Sequence, residues 1–383
     1  MKSMVRRAWN LVIAVLSVAT IVAAGYTYLK VDDFREGVTS SPSLEDIPNA
    51  PPTDDGAEDI LLVGSDSRTD AQGRPLSPAM LRKLRTEAST GVNTDTLIIL
   101  RFPRDGGSPR AVSIPRDSWV NVPTGGKAKI NSAFNTAKVA EAARLRQRGG
   151  MSRAQIERAS DERGRKALIQ TVQDFTKVRI DHYAEVSLLG FYLLTEALGG
   201  VEVCLAAATS DADSGANFRA GRQTISGGEA LSYVRQRKNL PRGDLDRIVR
   251  QQTFLASALH KVLSTDTLTD NRKLRKLVDA VRRSVVLDED LDILEFARKA
   301  RGLSSGQVKF VTIPVENIAG TSPDGKQSIV VVDANKVRKF IRDLIKPKAG
   351  HRSSGGGSSP GAAFGVQQQD NDPIRGGRAP CVN

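Results

Sequence analysis

Nineteen consecutive residues without a charge, Leu11 to Leu29, restrict this chain more than any other feature of its sequence. At about 1.5 Å per residue the run spans roughly 28 Å as a helix, close to the hydrocarbon thickness of a bilayer. Lys2, Arg6 and Arg7 precede it, and Asp32, Asp33 and Glu36 follow. That asymmetry puts residues 1–10 in the cytoplasm and everything after Lys30 outside the cell membrane. Trp9 on one side, and Tyr26 and Tyr28 on the other, stand where interfacial aromatics gather. The rival reading is a cleaved signal peptide with Val22-Ala23-Ala24 as its small-residue site. Such peptides carry only roughly 7–15 apolar residues, so the length favours an uncleaved, single-pass anchor. Both readings export the bulk of the chain.

Export changes the meaning of the charge. The 56 basic against 43 acidic side chains, a net +13, suit an anionic partner: nucleic acid, an anionic lipid surface or a phosphate-bearing substrate. An exported domain does not meet nucleic acid, and 5% aromatic content is too sparse for a base-stacking platform. Cys204 and Cys381 have no metal-ligand spacing, and in an exported protein one disulfide between them is expected over two free thiols. That bridge would tie the end of the sequence to the domain. His182, His260 and His351 are scattered and form no zinc or catalytic signature.

The chain divides into a cytoplasmic segment 1–10, a transmembrane helix 11–29, a Pro-rich acidic linker 30–58, one mixed α/β domain 59–345, and a Gly/Ser- and Gln-rich tail 346–383. Short apolar runs bounded by turn signals predict strands over Ile60 to Gly64, Leu97 to Phe102, Ala111 to Ile114, Val308 to Pro314 and Ser328 to Val332. Helical patterns cover Ala167 to Phe175, Leu188 to Leu198, Leu245 to Val262, Asn271 to Val281, Ile293 to Arg301 and Ala334 to Leu344. Thr69 to Gly91 and Lys138 to Arg165 are polar and rich in Arg, Gly and Ser. They read as surface excursions, the first with a short helix around Pro78 to Arg85.

Two clusters carry chemistry. In "NTDTLIILRFPRDGGSPRAVSIPRD" two strand-like runs flank Asp105-Gly106. As a hairpin, its cross-strand partners sum to about 211, which makes Asp95 and Arg116 neighbours at the open end. A first strand beside the second and parallel to the third brings Asp66 and Arg68, from "ILLVGSDSR", to that same edge. Downstream, "SYVRQRKNLPRGDLDRIVRQQTFL" sets Arg235 and Arg237 on one side of the chain if the backbone there is extended. The following helix carries Asp244, Arg247 and Gln251 at i, i+3 and i+7, one polar stripe, with Ile248, Leu255, Leu259 and Val262 as its buried stripe. Asp–Arg pairs and basic helix faces are also ordinary surface features, and spacing alone leaves either cluster open. Taken together they suggest arginines that neutralise a di- or polyphosphate while paired aspartates hold a divalent ion. An all-oxygen donor set prefers magnesium to zinc.

The segments "ILLVGSDSR", "NTDTLIIL", "VSIPRDSWV", "KINSAF", "IDHYAEVSLLGF", "LGGVEVCL", "AGRQTISGGEALSYVRQR" and "LPRGDLDRIVRQQTFL" run in order from Asp59 to Leu255. In these the chain closely resembles the LytR-CpsA-Psr (LCP) family of cell-wall glycopolymer transferases, in its actinobacterial style. The match is looser after Val262. The resemblance implies a central sheet flanked by helices, an α/β/α-like extracytoplasmic domain. It also implies a phosphotransferase that moves a glycopolymer from a polyprenyl pyrophosphate carrier to peptidoglycan, usually a muramic acid 6-hydroxyl, and releases polyprenyl monophosphate. By motif, Asp66 and Asp95 resemble the acids associated with Mg2+, and Arg68, Arg116, Arg235 and Arg237 the pyrophosphate-binding arginines. Asp244, Arg247 and Gln251 match the last functional motif, while Lys129 and Asn131 fall in a segment lining the same site. Asp244 is the choice for the base that takes the acceptor's proton. The apolar segment Val186 to Gly200 is either a core helix or one wall of a polyprenyl groove.

The same site would hydrolyse the polyprenyl carrier if water replaced the sugar hydroxyl. A membrane-bound transcriptional regulator is a reading from another class, and it requires the domain to be cytoplasmic. A purely structural wall-binding protein leaves the paired Asp and Arg motifs unexplained. A reporter active only outside the cytoplasm, fused after Lys30, is expected to give full signal; a silent fusion in an expressed protein would place the domain inside.

Overall fold

The computed structural model describes residues 39–52, 56–87, 92–105, 107–262, 271–291, 308–345 and 380–383. Leu11 to Leu29, the expected helix Ile293 to Arg301 and most of the tail lie outside these residues. Among the described residues no helix is long and apolar enough to cross a membrane.

The first described elements are β1 (Thr39–Ser41), β2 (Ala57–Ser65), the short helix α1 (Pro78–Lys83), β3 (Thr94–Pro103) and β4 (Arg110–Ser113). A hairpin of β5 (Trp119–Asn121) and β6 (Lys127–Lys129) leads to two long helices, α2 (Ser132–Arg148) and α3 (Arg153–Thr176). Next come β7 (His182–Ser187), α4 (Leu188–Ala197), β8 (Val201–Leu205), β9 (Thr209–Asp211), β10 (Ala216–Phe218) and β11 (Gly221–Ile225). They are followed by α5 (Gly227–Arg235), α6 (Asp244–Val262), α7 (Asn271–Ser284) and β12 (Val285–Asp288). The remaining elements are β13 (Lys309–Thr312), β14 (Asn317–Thr321), β15 (Ser328–Val331), α8 (Ala334–Ile345) and β16 (Cys381–Val382).

The central sheet has the order β1-β12-β7-β2-β3-β4-β13. Its middle strands are near-continuous apolar runs because both faces are covered. Leu61, Val63, Ile99 and Val112 pack on one face against Leu168 and Val172 of α3 and Val337 and Ile341 of α8. Ile60, Ile98, Leu100 and Ala111 point to the other face, where Leu255 and Leu259 of α6 meet them. The domain is thus the mixed α/β/α arrangement expected. β3 and β4 pair antiparallel with Ile98 opposite Ser113 and Leu100 opposite Ala111, the register the hairpin predicts. β2 lies antiparallel to β3 and parallel to β7, so β2 and β4 run the same way and end at one edge. Cys204 and Cys381 form a disulfide, which places β16 parallel to β8 in a three-stranded sheet with β11.

Three expectations change. Lys138 to Arg165, read as a surface excursion, belongs to α2 and α3, which turn back at Gly149 and Gly150, both with positive φ (72° and 79°). The facing surfaces mix small residues and paired charges with scattered apolar ones, Phe134, Leu145 and Ile156, rather than forming a continuous apolar stripe. Lys138, 3% exposed, has its Nζ 2.5 Å from Asp161 Oδ1 and 2.6 Å from Glu157 Oε1. Arg165 donates to Glu185 Oε2 at 2.8 Å. Secondly, part of the predicted linker 30–58 is structural. Thr39–Ser41 pairs with β12 as an edge strand, Ser41 hydrogen-bonds Glu162, and Leu44 and Ile47 pack on the core. An edge strand is held by main-chain hydrogen bonds and needs no apolar run. Lastly, Arg235 ends α5 instead of lying in an extended run, and only at Gln236 does the backbone become extended (ψ 134°).

A Cβ at Gly164 would stand 2.9 Å from the Phe134 ring and 3.0 Å from the Phe134 carbonyl oxygen. Gly164→Ala is therefore expected to destabilise the domain by about 1–3 kcal/mol in denaturant titration, by overpacking the α2–α3 contact. His182 Nδ1 lies 3.1 Å from Asp288 Oδ1 and its Nε2 3.9 Å from Glu58 Oε1. Burial alone would lower the His182 pKa, but Asp288 and Glu58 outweigh it and raise it above the usual 6.5. The stabilisation from His182 is then full below about pH 6.5 and declines as pH rises through the higher folded-state pKa. Between about pH 6 and pH 8.5 the wild type is expected to lose more thermal stability than His182→Gln.

Candidate functional site

The ends of β2, β3 and β4 meet the start of α6, and their charged side chains interlock there. Asp66 follows β2 directly; its backbone N–H donates to the Asn93 carbonyl (3.0 Å), and its carboxylate accepts from the Asn93 N–H (2.6 Å). Arg68 turns back onto Asp66, NH1 to Oδ2 at 2.9 Å, and its NH2 donates to Thr86 Oγ1 at 3.3 Å. Asp95 and Arg116, matched across the hairpin, meet at 2.6 Å. The Arg116 Nε also faces Asp117 (3.5 Å) and Asp244 (3.9 Å). Asp244, the first residue of α6, pairs one turn on with Arg247 at 2.7 Å and receives Arg237 at 3.8 Å. Its Oδ1 therefore faces three guanidiniums. Both of its oxygens are shielded from solvent.

Burial works against the Arg116 charge, but Asp95, Asp117 and Asp244 together more than offset it, and the Arg116 pKa is raised. The balance differs at two other arginines. Burial lowers the Arg235 pKa, and the nearby Arg68 lowers it further. Burial likewise lowers that of Arg247, despite Asp244. Arg235 spends its NH1 on the carbonyl oxygens of Leu84 (3.2 Å) and Arg85 (3.4 Å). Both cations are poorly solvated and line the same cavity, so an anion bound there would relieve them.

This charged edge is one end of a cavity of about 880 Å³. Asp66, Arg68, Asp95, Arg116, Arg235, Arg237, Asp244, Arg247 and Gln251 all line it. Gln251 donates to the Val234 carbonyl (3.1 Å), tying α6 to α5. Beyond the charges the cavity turns apolar, running between the sheet (Leu62, Ile98, Val186) and α4 (Leu188, Phe191, Leu194). Leu255, Leu259 and Val262, expected to be a buried stripe, instead line this void and are only half-buried; Ile248 alone of the four is buried. A single helix of 19 residues thus supplies the polar end with its first turns and the apolar wall with its last.

Lys129 and Asn131 do not line the cavity. Lys129 pairs with Asp117 at 3.0 Å, and the Asn131 N–H donates to the Arg116 carbonyl at 3.2 Å, so both stand behind Arg116. Asp117 stands between Arg116 and Lys129, and its place beside Arg116 in "SIPRD" is the sequence signal for it. Asp211, Asp213 and Lys238 also line the mouth and carried no sequence signal. Among the described residues no three His, Cys, Asp or Glu side chains cluster as a metal site. Asp66 and Asp95 are nevertheless two oxygen donors facing the void, which suits Mg2+ when substrate phosphates supply its other ligands.

A model of the LytR_cpsA_psr family matches residues 30–345. Over 337 residues the chain is 48% identical to the cell wall biosynthesis protein LcpA of Corynebacterium glutamicum, covering 87% of this chain and 65% of that protein. Over 239 residues it is 32% identical to the polyisoprenyl-teichoic acid–peptidoglycan teichoic acid transferase TagU of Oceanobacillus iheyensis, covering 62% of this chain and 61% of that one. The chain therefore spans a little under two thirds of the length of these relatives. Among solved structures it resembles a LytR-Csp2A-Psr enzyme from Actinomyces oris (TM-score 0.53, 17% identity, 80% of this chain and 96% of that one). It also resembles B. subtilis TagV (TM-score 0.52, 22% identity, 76% and 98%). At such identities the likeness is one of fold.

Proposed function

The chain belongs to the LytR-CpsA-Psr family, and we propose that it transfers a glycopolymer from a polyprenyl pyrophosphate carrier to a hydroxyl of peptidoglycan, releasing polyprenyl monophosphate. The observation that carries this reading is the continuity of one cavity from a cluster of arginines into an apolar-lined compartment. Such a cavity fits an amphiphile with a pyrophosphate head and a hydrocarbon tail. The relatives named for cell wall biosynthesis and for teichoic acid transfer to peptidoglycan support the same class of reaction. The uncharged run Leu11 to Leu29 would hold the domain on the outer side of the membrane, where carrier and acceptor both lie.

The acceptor hydroxyl oxygen attacks the phosphorus that bears the sugar. The bond from that phosphorus to the bridging oxygen breaks, and the bridging oxygen leaves on the polyprenyl monophosphate. The sugar keeps its phosphate as a phosphodiester to the acceptor. Such a transfer needs positioning and neutralisation more than covalent help. Arg235 and Arg247, whose charges burial leaves under-compensated, are placed to receive the pyrophosphate oxygens, and Arg68, Arg116 and Arg237 flank them. Asp66 and Asp95 would hold Mg2+, which supplies further neutralisation of the pyrophosphate when bound. Asp244, whose carboxylate lines the cavity and is shielded from bulk solvent, takes the acceptor proton. Lys129 and Asn131 act from behind by fixing Asp117 and the Arg116 backbone.

The full-length protein in detergent micelles, given polyprenyl pyrophosphate and magnesium, is expected to release polyprenyl monophosphate, and peptidoglycan fragments are expected to capture the phosphosugar. Arg116→Ala and Asp95→Ala should each lower the rate by about 10²–10³-fold, and chelation should abolish it. Asp244→Asn should lower kcat while leaving carrier binding intact. Absence of release from folded protein would overturn the reading, and release that no acceptor captures would turn it into hydrolysis.

A further inference from the structure

We propose that Arg250, clasped by the disulfide-held strand at Cys381–Asn383, is a positioning residue that sets the two cavity arginines Arg235 and Arg237 through Gln236. The inference rests on the reading of Arg235 and Arg237 as pyrophosphate ligands.

Arg250 lies on α6 but outside the cavity lining, and it is 1% exposed. Its guanidinium sits 5.0 Å over the Tyr233 ring, its Nε donates to the main-chain oxygen of Asn383, and its NH1 donates to Gln236 Oε1 at 2.7 Å. No acidic side chain takes part in these contacts. A buried guanidinium held by a main-chain oxygen, an amide and a ring face is fixed in direction as well as in place.

Gln236 is the other half of the fixture. It is fully buried and sits between Arg235 and Arg237 in the chain, at the point where α5 ends. Its Nε2 donates to Thr209 Oγ1 (2.6 Å) and to the Lys238 carbonyl (3.0 Å), while its Oε1 accepts from Arg250. Asp211 braces the same turn from the far side, Oδ2 receiving the N–H groups of Arg237 (3.2 Å) and Lys238 (3.3 Å). With the Gln236 side chain turned into the protein and pinned at both ends of its amide, its two neighbours in the chain reach the cavity.

The strand that meets Arg250 is short. Only Cys381 and Val382 pair with β8, with one further bond from the Ala206 N–H to the Val382 carbonyl (2.9 Å). Two ladder residues alone hold a strand weakly. The Cys204–Cys381 bond, joining positions 177 residues apart, keeps Asn383 against Arg250. The chain of contacts thus runs from the disulfide to Asn383, Arg250 and Gln236, and ends at the phosphate-facing arginines.

The test uses full-length protein in detergent, geranylgeranyl pyrophosphate as the probe in calorimetry, and KM and kcat in the release assay. Cys381→Ser and Gln236→Leu are each expected to weaken probe binding and raise KM by about tenfold, with kcat at saturation changed less than about threefold. Arg250→Lys should retain more affinity than Arg250→Met. A purely structural role would lower the unfolding temperature and leave the affinity of the folded protein unchanged; that result overturns the inference. Should Gln236→Leu fail to fold, Cys381→Ser decides alone, since it leaves Arg250 and Gln236 in place. A wild type that does not bind the probe would sink the pyrophosphate reading itself, and this inference with it; a wild type that binds while the variants match it would sink the inference only.

Discussion

The charged edge of this domain depends on one carboxylate. Asp244 Oδ1 lies 2.7 Å from Arg247, 3.8 Å from Arg237 and 3.9 Å from Arg116, and these arginines come from three separate stretches of chain. Guanidiniums gathered at the mouth of an apolar cavity repel one another in a medium that screens them poorly. A shared counter-charge permits the gathering, and its position at the first residue of α6 suits it further, because the N-terminal end of a helix favours a negative group. The sheet supplies the remaining pairs, Asp95 with Arg116 and Asp66 with Arg68, from strands whose register leaves no freedom about where they end.

The rest of the cavity follows from how α6 lies across the sheet. Its polar stripe and its apolar stripe are two lengths of one helix rather than two faces with separate duties. The void beyond the charges is bounded by residues that in an ordinary core would touch the opposite wall. Leaving them half-buried costs packing, roughly the lost contacts of several large side chains. A domain retains such a space where an apolar ligand restores those contacts, and the same argument joins tail and head recognition in a single site.

Much of this was legible in the residues. The β3–β4 register came from two apolar runs about Asp105-Gly106, and with it the Asp95–Arg116 pair, because period and turn fix a hairpin without tertiary information. The polar stripe of α6 followed from 3.6-residue spacing. The α2–α3 hairpin was hidden because its buried surfaces hold Ala133, Ala137 and Gly164 with a neutralised Lys138, which read as a solvated face. Yet Ser152 and Gln155 form a reciprocal cap with Gly149-Gly150 before it, so the local sequence does mark a helix start there. Edge strand β1 left no apolar trace, and Leu255, Leu259 and Val262 could not be told from core residues, since a sequence records no voids. The Arg250–Gln236–Asn383 contact joins segments too distant for any local pattern.

Strand β1 also bears on how far the domain can travel. Lys30 and Thr39 are nine positions apart, a span of at most about 30 Å when fully extended. Since Thr39 is already locked into the sheet beside β12, no further slack lies between that point and the body of the domain. On the proposed membrane placement the protein is a dog on a short lead: it patrols a shell one domain deep above the lipid and cannot stray into the outer wall. On that placement, reach alone would limit the domain to acceptors that lie close to the membrane.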